Sequence, residues 1–243
     1  MCATCGCGSP DHSASGHSAG HSAGHDHPHQ EITLEQKVLA RNDALAATNR
    51  TYFDDREIVA VNLMSSPGAG KTTLLERTIR DLAAADRPVA VVEGDQETRL
   101  DAERIRRAGS PVVQINTGAG CHLDAAMLRD AVARLDPPRG ALLFVENVGN
   151  LVCPALFDLG ERGKVVIVSV TEGTDKPLKY PYMFAAADLV VVNKVDLLPY
   201  VDFDLGRCKE YVASVNPRAE VVALSATRGD NLDSWYAWLA GPL

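Results

Sequence analysis

The sequence predicts an α/β fold, a doubly wound and mostly parallel sheet of about seven strands flanked by helices. Two observations carry this. After Arg56, apolar runs rich in β-branched residues alternate with amphipathic segments of helical length. The runs are also continuous rather than alternating, the pattern of strands buried on both faces, and the strand–helix rhythm demands parallel crossovers.

The elements follow in order. Residues 1–30 form a segment of their own, with Cys2, Cys5 and Cys7 followed by His12, His17, His21, His25, His27 and His29 in a Ser/Ala/Gly background. His17-Ser-Ala-Gly-His21-Ser-Ala-Gly-His25 is a short repeat. With almost no aliphatic side chains to bury, the segment cannot offset its ordering entropy, and disorder is expected without a ligand. The remainder, 31–243, reads as one domain preceded by a helix. Ile32, Leu34, Val38, Leu39 and Leu45 recur at helical spacing, with Thr33 as N-cap and an end near Asn49, and the helix is expected to pack on the domain. Strands are expected at 58–64, 88–92, 112–115, 141–145, 165–170, 189–192 and 220–224, with helices at 72–85, 98–108, 123–135 and 205–214.

Bulk properties narrow the function. The 243 residues suit one α/β domain with an appendage, and 46% apolar content supports a sizeable core. A formal charge of -8 provides no basic field for nucleic acid or an acidic membrane surface. No stretch approaches the ~20 apolar residues of a membrane span, and the N-terminus lacks a secretory h-region. A cytoplasmic location is expected, where the six cysteines read as metal ligands, reactive thiols or buried residues before disulfides.

Ile58–Met64 reads as a buried strand running into Ser65-Ser-Pro-Gly-Ala-Gly-Lys-Thr-Thr73 and then a helix, a Walker A loop in its strand–loop–helix setting. The fold is therefore a P-loop NTPase. Gly68, Ala69 and Gly70 turn backbone N–H groups toward phosphates, and the helix N-terminus adds partial positive charge. Lys71 bridges the β- and γ-phosphates, the Thr72 hydroxyl ligates Mg²⁺, and Thr73 completes the loop. Ser65 replaces the usual first glycine, which is tolerable if its φ is negative.

Base preference comes from Asn193-Lys-Val-Asp196 after an apolar strand, about 120 residues beyond the P-loop. The Asp196 carboxylate accepts from guanine N1–H and its exocyclic amine, donors that adenine lacks. Asn193 braces the loop, Lys194 lies over the purine, and Ser225-Ala226 offers backbone to the guanine carbonyl. Glu146, ending an apolar strand, is the Walker B-like Mg²⁺ acid, and Gly149 offers its N–H to the γ-phosphate. Asp95 is a candidate for Mg²⁺ or the attacking water. Glu93 reads equally as a structural brace. The catalytic set is thus Lys71, Asp95 and Glu146, acting on GTP to give GDP. No glutamine stands in an obvious water-positioning place.

Cys121-His122 and Cys153 supply thiolate and imidazole, ligands that suit Ni²⁺ or Zn²⁺. Three ligands are few for a closed structural site, and a two-fold dimer could supply both sets. The alternative is that both cysteines are small buried residues. Cys208, in an amphipathic helix, is read as buried. Cys2-x-x-Cys5-x-Cys7 can wrap one soft cation, and with Met1 removed the freed amine of Cys2 gives a fourth ligand suited to square-planar Ni²⁺.

With these residues the chain resembles the hydrogenase maturation GTPases that insert nickel into [NiFe]-hydrogenase. The resemblance rests on Ser-Pro-Gly-Ala-Gly-Lys-Thr-Thr, Glu-Gly-Asp, Gly-Ala-Gly-Cys-His-Leu-Asp, Glu-Asn-Val-Gly-Asn-Leu-Val-Cys-Pro, Thr-Glu-Gly-Thr-Asp-Lys-Pro-Leu-Lys-Tyr-Pro and Asn-Lys-Val-Asp. It implies a GTP-promoted homodimer, low intrinsic GTPase activity and a Ni²⁺/Zn²⁺ site from Cys121, His122 and Cys153 at the dimer interface. It further implies a small zinc-containing maturation partner and the hydrogenase large subunit as recipient. Cys2, Cys5 and Cys7 match a high-affinity nickel motif of some members, and the histidine tract a storage segment of others. Rival readings are a related GTPase for urease or a cobalamin enzyme, a nickel or zinc storage protein acting through residues 1–29, and a nucleotide-dependent kinase.

Overall fold

The computed structural model describes residues 27–95, 100–118 and 120–241. The expectations for Cys2, Cys5, Cys7 and the histidines before His27 lie outside the described residues. The first helix, α1, spans His27–Asp55. It is longer than predicted at both ends, so Thr33 is an interior residue rather than its N-cap. Pro28 suits a first turn, where its missing N–H costs nothing. At the far end the buried Phe53 extends the helix beyond Asn49, and its carbonyl accepts the Ile58 N–H at 2.8 Å.

Seven strands follow: β1 Val59–Ser65, β2 Val89–Asp95, β3 Val112–Asn116, β4 Leu142–Glu146, β5 Gly163–Ser169, β6 Leu189–Asn193 and β7 Glu220–Ala223. Every pairing is parallel, in the order β3-β2-β4-β1-β5-β6-β7. The predicted helices appear as α2 Lys71–Ala83, α3 Leu100–Ala108, α4 Ala125–Leu135 and α7 Leu205–Val215. α4 starts two residues later than predicted because the Asp124 carboxylate caps it, accepting from the Met127 N–H at 2.8 Å. Short helices α5 Lys176–Lys179 and α6 Pro181–Ala185, 3₁₀ turns at Cys153–Leu156 and Val195–Tyr200, and α8 Leu232–Ala240 carry no periodic signal long enough to read from sequence. No described helix is long and apolar enough to cross a membrane.

Side chains alternate across the sheet, as the strand period requires. Val61 and Leu63 face α2, α3 and α8, where Trp235 is fully buried and donates Nε1–H to Thr78 Oγ1 at 2.9 Å. Ala60, Val92 and Val145 face the opposite layer of α1 and α4. Met64, Val168 and Val192 meet α6 and α7. α1 is tied down by polar contacts as well as apolar ones. Asn49 Nδ2 donates to Ala125 O and Leu159 O, both at 2.9 Å. Gly160 has φ +86°, and a Cβ there would lie 2.5 Å from Ala46 O, so only glycine allows the helix so close.

Candidate functional site

The C-terminal ends of β1, β2 and β4 open into one cleft of about 450 Å³. This is where an open parallel sheet places its ligands. The register aligns Leu63 with Glu146 and Glu93 with Glu146, so acidic residues from two neighbouring strands reach the same level. Gly68, Ala69, Gly70, Lys71, Thr72, Thr73, Asp95, Glu146, Gly149 and Lys194 all line the cleft. The structure thus gathers these sequence-predicted residues.

Ser65 is buried and is not among the residues with positive φ, which accounts for its standing where glycine is usual. Its Oγ accepts from Lys71 Nζ at 3.1 Å. Gly70 does need to be glycine: φ is +97°, and a Cβ would fall 2.4 Å from Asn193 Nδ2. That same Nδ2 donates to Ala69 O at 3.0 Å, while Asn193 Oδ1 accepts the Ala226 N–H at 3.1 Å. Asn193 therefore ties the P-loop to the Ser225–Ala226 loop. Lys194, at φ +62°, donates Nζ to Gly68 O at 2.7 Å. Asp196 lies half-buried in the turn that follows.

The Thr72 hydroxyl donates to Glu146 Oε1 at 2.6 Å, joining two of the residues expected to hold Mg²⁺. Glu146 Oε2 and Glu93 Oε2 are buried and have no hydrogen-bond partner among the described residues. Burial raises the Glu146 carboxyl above its usual range, opposed by Lys71 and by the Thr72 hydrogen bond. Glu93 is pushed up to about 8, first by burial and then by the negative charges of Glu146, Asp95 and Asp101. Buried carboxylate oxygens beside a hydroxyl are hard donors, the set that suits Mg²⁺. Sequence reasoning missed Asp101 and Arg104, which also line the cleft. Arg104 Nη2 bonds Glu76 Oε2 at 2.9 Å and Thr73 Oγ1 at 3.3 Å, and only the packing of α3 on α2 brings it there.

A second cluster lies beside the first. The Cys121 Sγ, Cys153 Sγ and a His122 ring nitrogen all lie within 4.8 Å of one another, though 32 residues separate the cysteines. The two sulfurs are 2.9 Å apart, and Cys121 Sγ is 3.7 Å from His122 Nδ1. His122 stacks on Phe157, ring centroids 3.9 Å apart. Burial lowers the His122 pKa, against the pull of Asp124, and so favours the neutral, ligating imidazole. Two soft sulfurs and a neutral imidazole fit Ni²⁺ or Zn²⁺ and not Mg²⁺. Cys208 is buried, and burial pushes its thiol up to about 11, in keeping with a packing role.

Residues 59–223 match the family described as CobW/HypB/UreG, nucleotide-binding domain. The chain belongs to this family. Within it the chain is similar to the hydrogenase maturation factor HypB of Azotobacter vinelandii, 58% identical over 86% of this chain and 68% of that one. The HypB of Escherichia coli K12 is 55% identical over 86% of this chain and 71% of its own length. Among solved structures, HypB from Helicobacter pylori in complex with nickel superposes with a TM-score of 0.78 at 38% identity, covering 82% of this chain and 94% of that one. The sequence resemblance to hydrogenase maturation factors, the P-loop fold and the nucleotide-binding class of the chain are therefore established.

Proposed function

We propose that the chain is a GTP-hydrolysing nickel metallochaperone of [NiFe]-hydrogenase maturation, whose hold on its metal cargo is gated by nucleotide. One observation carries this reading: the segment from Glu146 to Cys153 serves both clusters. Its first residue bonds Thr72 in the P-loop, its Gly149 packs against Pro67, and its last residue is the third soft ligand. The nickel named with the Helicobacter relative and the hydrogenase role of the closely similar factors support the cargo and the pathway.

In this reading the Gly68–Thr73 backbone and Lys71 cradle the phosphates, and Asp196 reads guanine. Thr72, Asp95 and Glu146 would hold Mg²⁺, which neutralises charge on the β- and γ-phosphate oxygens. Asp95, which lines the cleft, is the alternative candidate to orient the attacking water. The Gly149 N–H reports whether a γ-phosphate is present. Cys121, His122 and Cys153 take Ni²⁺, or Zn²⁺ in its place. Three ligands leave room for a second copy to complete the coordination, consistent with a GTP-promoted homodimer. A small zinc-containing maturation protein and the hydrogenase large subunit are the expected partners, with Cys2, Cys5 and Cys7 as a further nickel-loading site, all in the cytoplasm.

Gating requires that the metal bind the two nucleotide states unequally. The test is Ni²⁺ affinity of the full chain, measured by chelator competition with Mg²⁺ and a non-hydrolysable GTP analogue, and again with GDP. A difference of roughly 5-fold or more is expected. Equal affinities would overturn the gating.

A further inference from the structure

Beneath α1, one face of the sheet carries three buried polar side chains within an otherwise apolar layer. Asn62 sits in the middle of β1, Asn147 directly follows Glu146, and Glu161 lies in the loop before β5. Asn62 is 0% exposed, Asn147 1% and Glu161 6%.

They form one chain of hydrogen bonds. Glu161 Oε2 accepts the Leu159 N–H at 2.7 Å, and its Oε1 accepts from Asn62 Nδ2 at 3.1 Å. Asn62 Oδ1 accepts from Asn147 Nδ2 at 3.3 Å. Asn147 Oδ1 then accepts the Val148 N–H at 3.0 Å and the Leu123 N–H at 3.3 Å. With Glu161 Oε2 taken by the Leu159 N–H and Oε1 facing Asn62, the Asn62 amide nitrogen points to the carboxyl group. Asn62 must then present its oxygen to Asn147, which leaves the Asn147 oxygen for the backbone of Leu123 and Val148.

Leu123 directly follows His122, and Val148 lies between Glu146 and Gly149 at the phosphate end of the cleft. We propose that Asn62, Asn147 and Glu161 are positioning residues that lock the Glu146–Gly149 segment to the Cys121–Leu123 segment, so that movement at the phosphate end shifts the soft-metal ligands. The inference rests on the nucleotide-gated reading above. Independent motion of the two segments would strand buried amide groups without partners, which is unfavourable enough to keep them moving together. Asn150 adds a parallel tie, donating Nδ2 to Cys121 O at 3.4 Å. Asn62 and Glu161 line neither the cleft nor the metal cluster, and this chain of side-chain bonds links them to both.

The test uses the full chain with Asn62→Leu, which keeps the branching and number of heavy atoms and removes both polar groups. Glu161→Gln is the second variant: Leu159 N–H and Asn62 Nδ2 reach different carboxylate oxygens, and with one of these replaced by an NH2 donor the order of bonds through Asn62 is broken. Binding of the GTP analogue and of GDP is expected to stay within about 2-fold of the natural chain, since neither residue lines the cleft. The ratio of Ni²⁺ affinities between the two nucleotide states is expected to collapse toward one. Amide hydrogen exchange at 121–128 should likewise lose its response to the analogue.

A ratio that survives in both variants overturns the relay while leaving the gated function intact. Equal Ni²⁺ affinities in the natural chain overturn the gated function and the relay with it. If Asn62→Leu loses its cooperative thermal transition, the outcome with Glu161→Gln decides.

Discussion

At the scale of single residues, the cleft crowds buried carboxyl groups together so that burial and mutual repulsion favour their protonated forms. Glu93 is the clearest case, its carboxyl held at about 8 against an ordinary value of 4.5 by burial and by neighbouring Glu146, Asp95 and Asp101. An acid whose folded pKa is raised binds more protons in the folded state than in the unfolded one between those two values. Stability therefore falls as pH rises from about 4.5 toward about 8. Glu93→Gln removes that proton linkage. In the metal- and nucleotide-free chain, the variant should gain thermal stability over the natural sequence at pH 8, with a smaller gain at pH 5. Parallel melting curves across that range would remove Glu93 from this role. The type of such residues was legible in sequence, but their charge state was not, because it depends on Glu93 and Glu146 meeting at one register across β2 and β4.

At the scale of elements, α1 shows where periodicity stops being informative. Its apolar spacing announces a helix, but its length and seat are set by contacts distant in sequence. Asn49, which the sequence suggests as a terminus, is a buried interior residue bonded to Ala125 O and Leu159 O. Asn49→Ala would remove both bonds and take this donor from Leu159 O, while Ala125 O keeps its place in the first turn of α4, a cost of about 1–3 kcal/mol. Urea unfolding should show this as a lower midpoint with an unchanged slope. No loss would mean that water or relaxation replaces the contacts. α8 escaped the sequence reading for a related reason: Leu232, Trp235, Trp238 and Leu239 form a short apolar stripe whose value lies in Trp235 filling the layer against Phe144 and Thr78.

At the scale of the whole molecule, nucleotide binding should stiffen a structure whose cleft joins loops from β1, β2, β4 and β6. A ligand at about 100 times its dissociation constant stabilises by ~2.7 kcal/mol, which for a domain of this size raises Tm by roughly 5–10 °C. GDP with Mg²⁺ should produce that shift. Asp196→Asn, which turns one acceptor toward guanine into a donor, forfeits about 3 kcal/mol and should abolish the shift at the same GDP concentration. An undiminished shift would exclude Asp196 as the reader of the base.

The sequence by itself determined the parallel seven-stranded sheet, because buried strands need continuous apolar runs and parallel crossovers need helices between them. It also made the P-loop and the Asn193-Lys-Val-Asp196 loop legible, since each is a contiguous motif at the end of an apolar strand. What only the tertiary structure decided is how the two sites adjoin. Cys121 and Cys153 meet because the loops after β3 and β4 converge, although β2 stands between those strands in the sheet. Asn62 is an isolated amide in an apolar strand. Its partners Asn147 and Glu161 lie 85 and 99 residues away, and no local pattern specifies such pairs. Pairing of that kind is fixed by strand order and register, which place chemistry from separate segments in one buried layer.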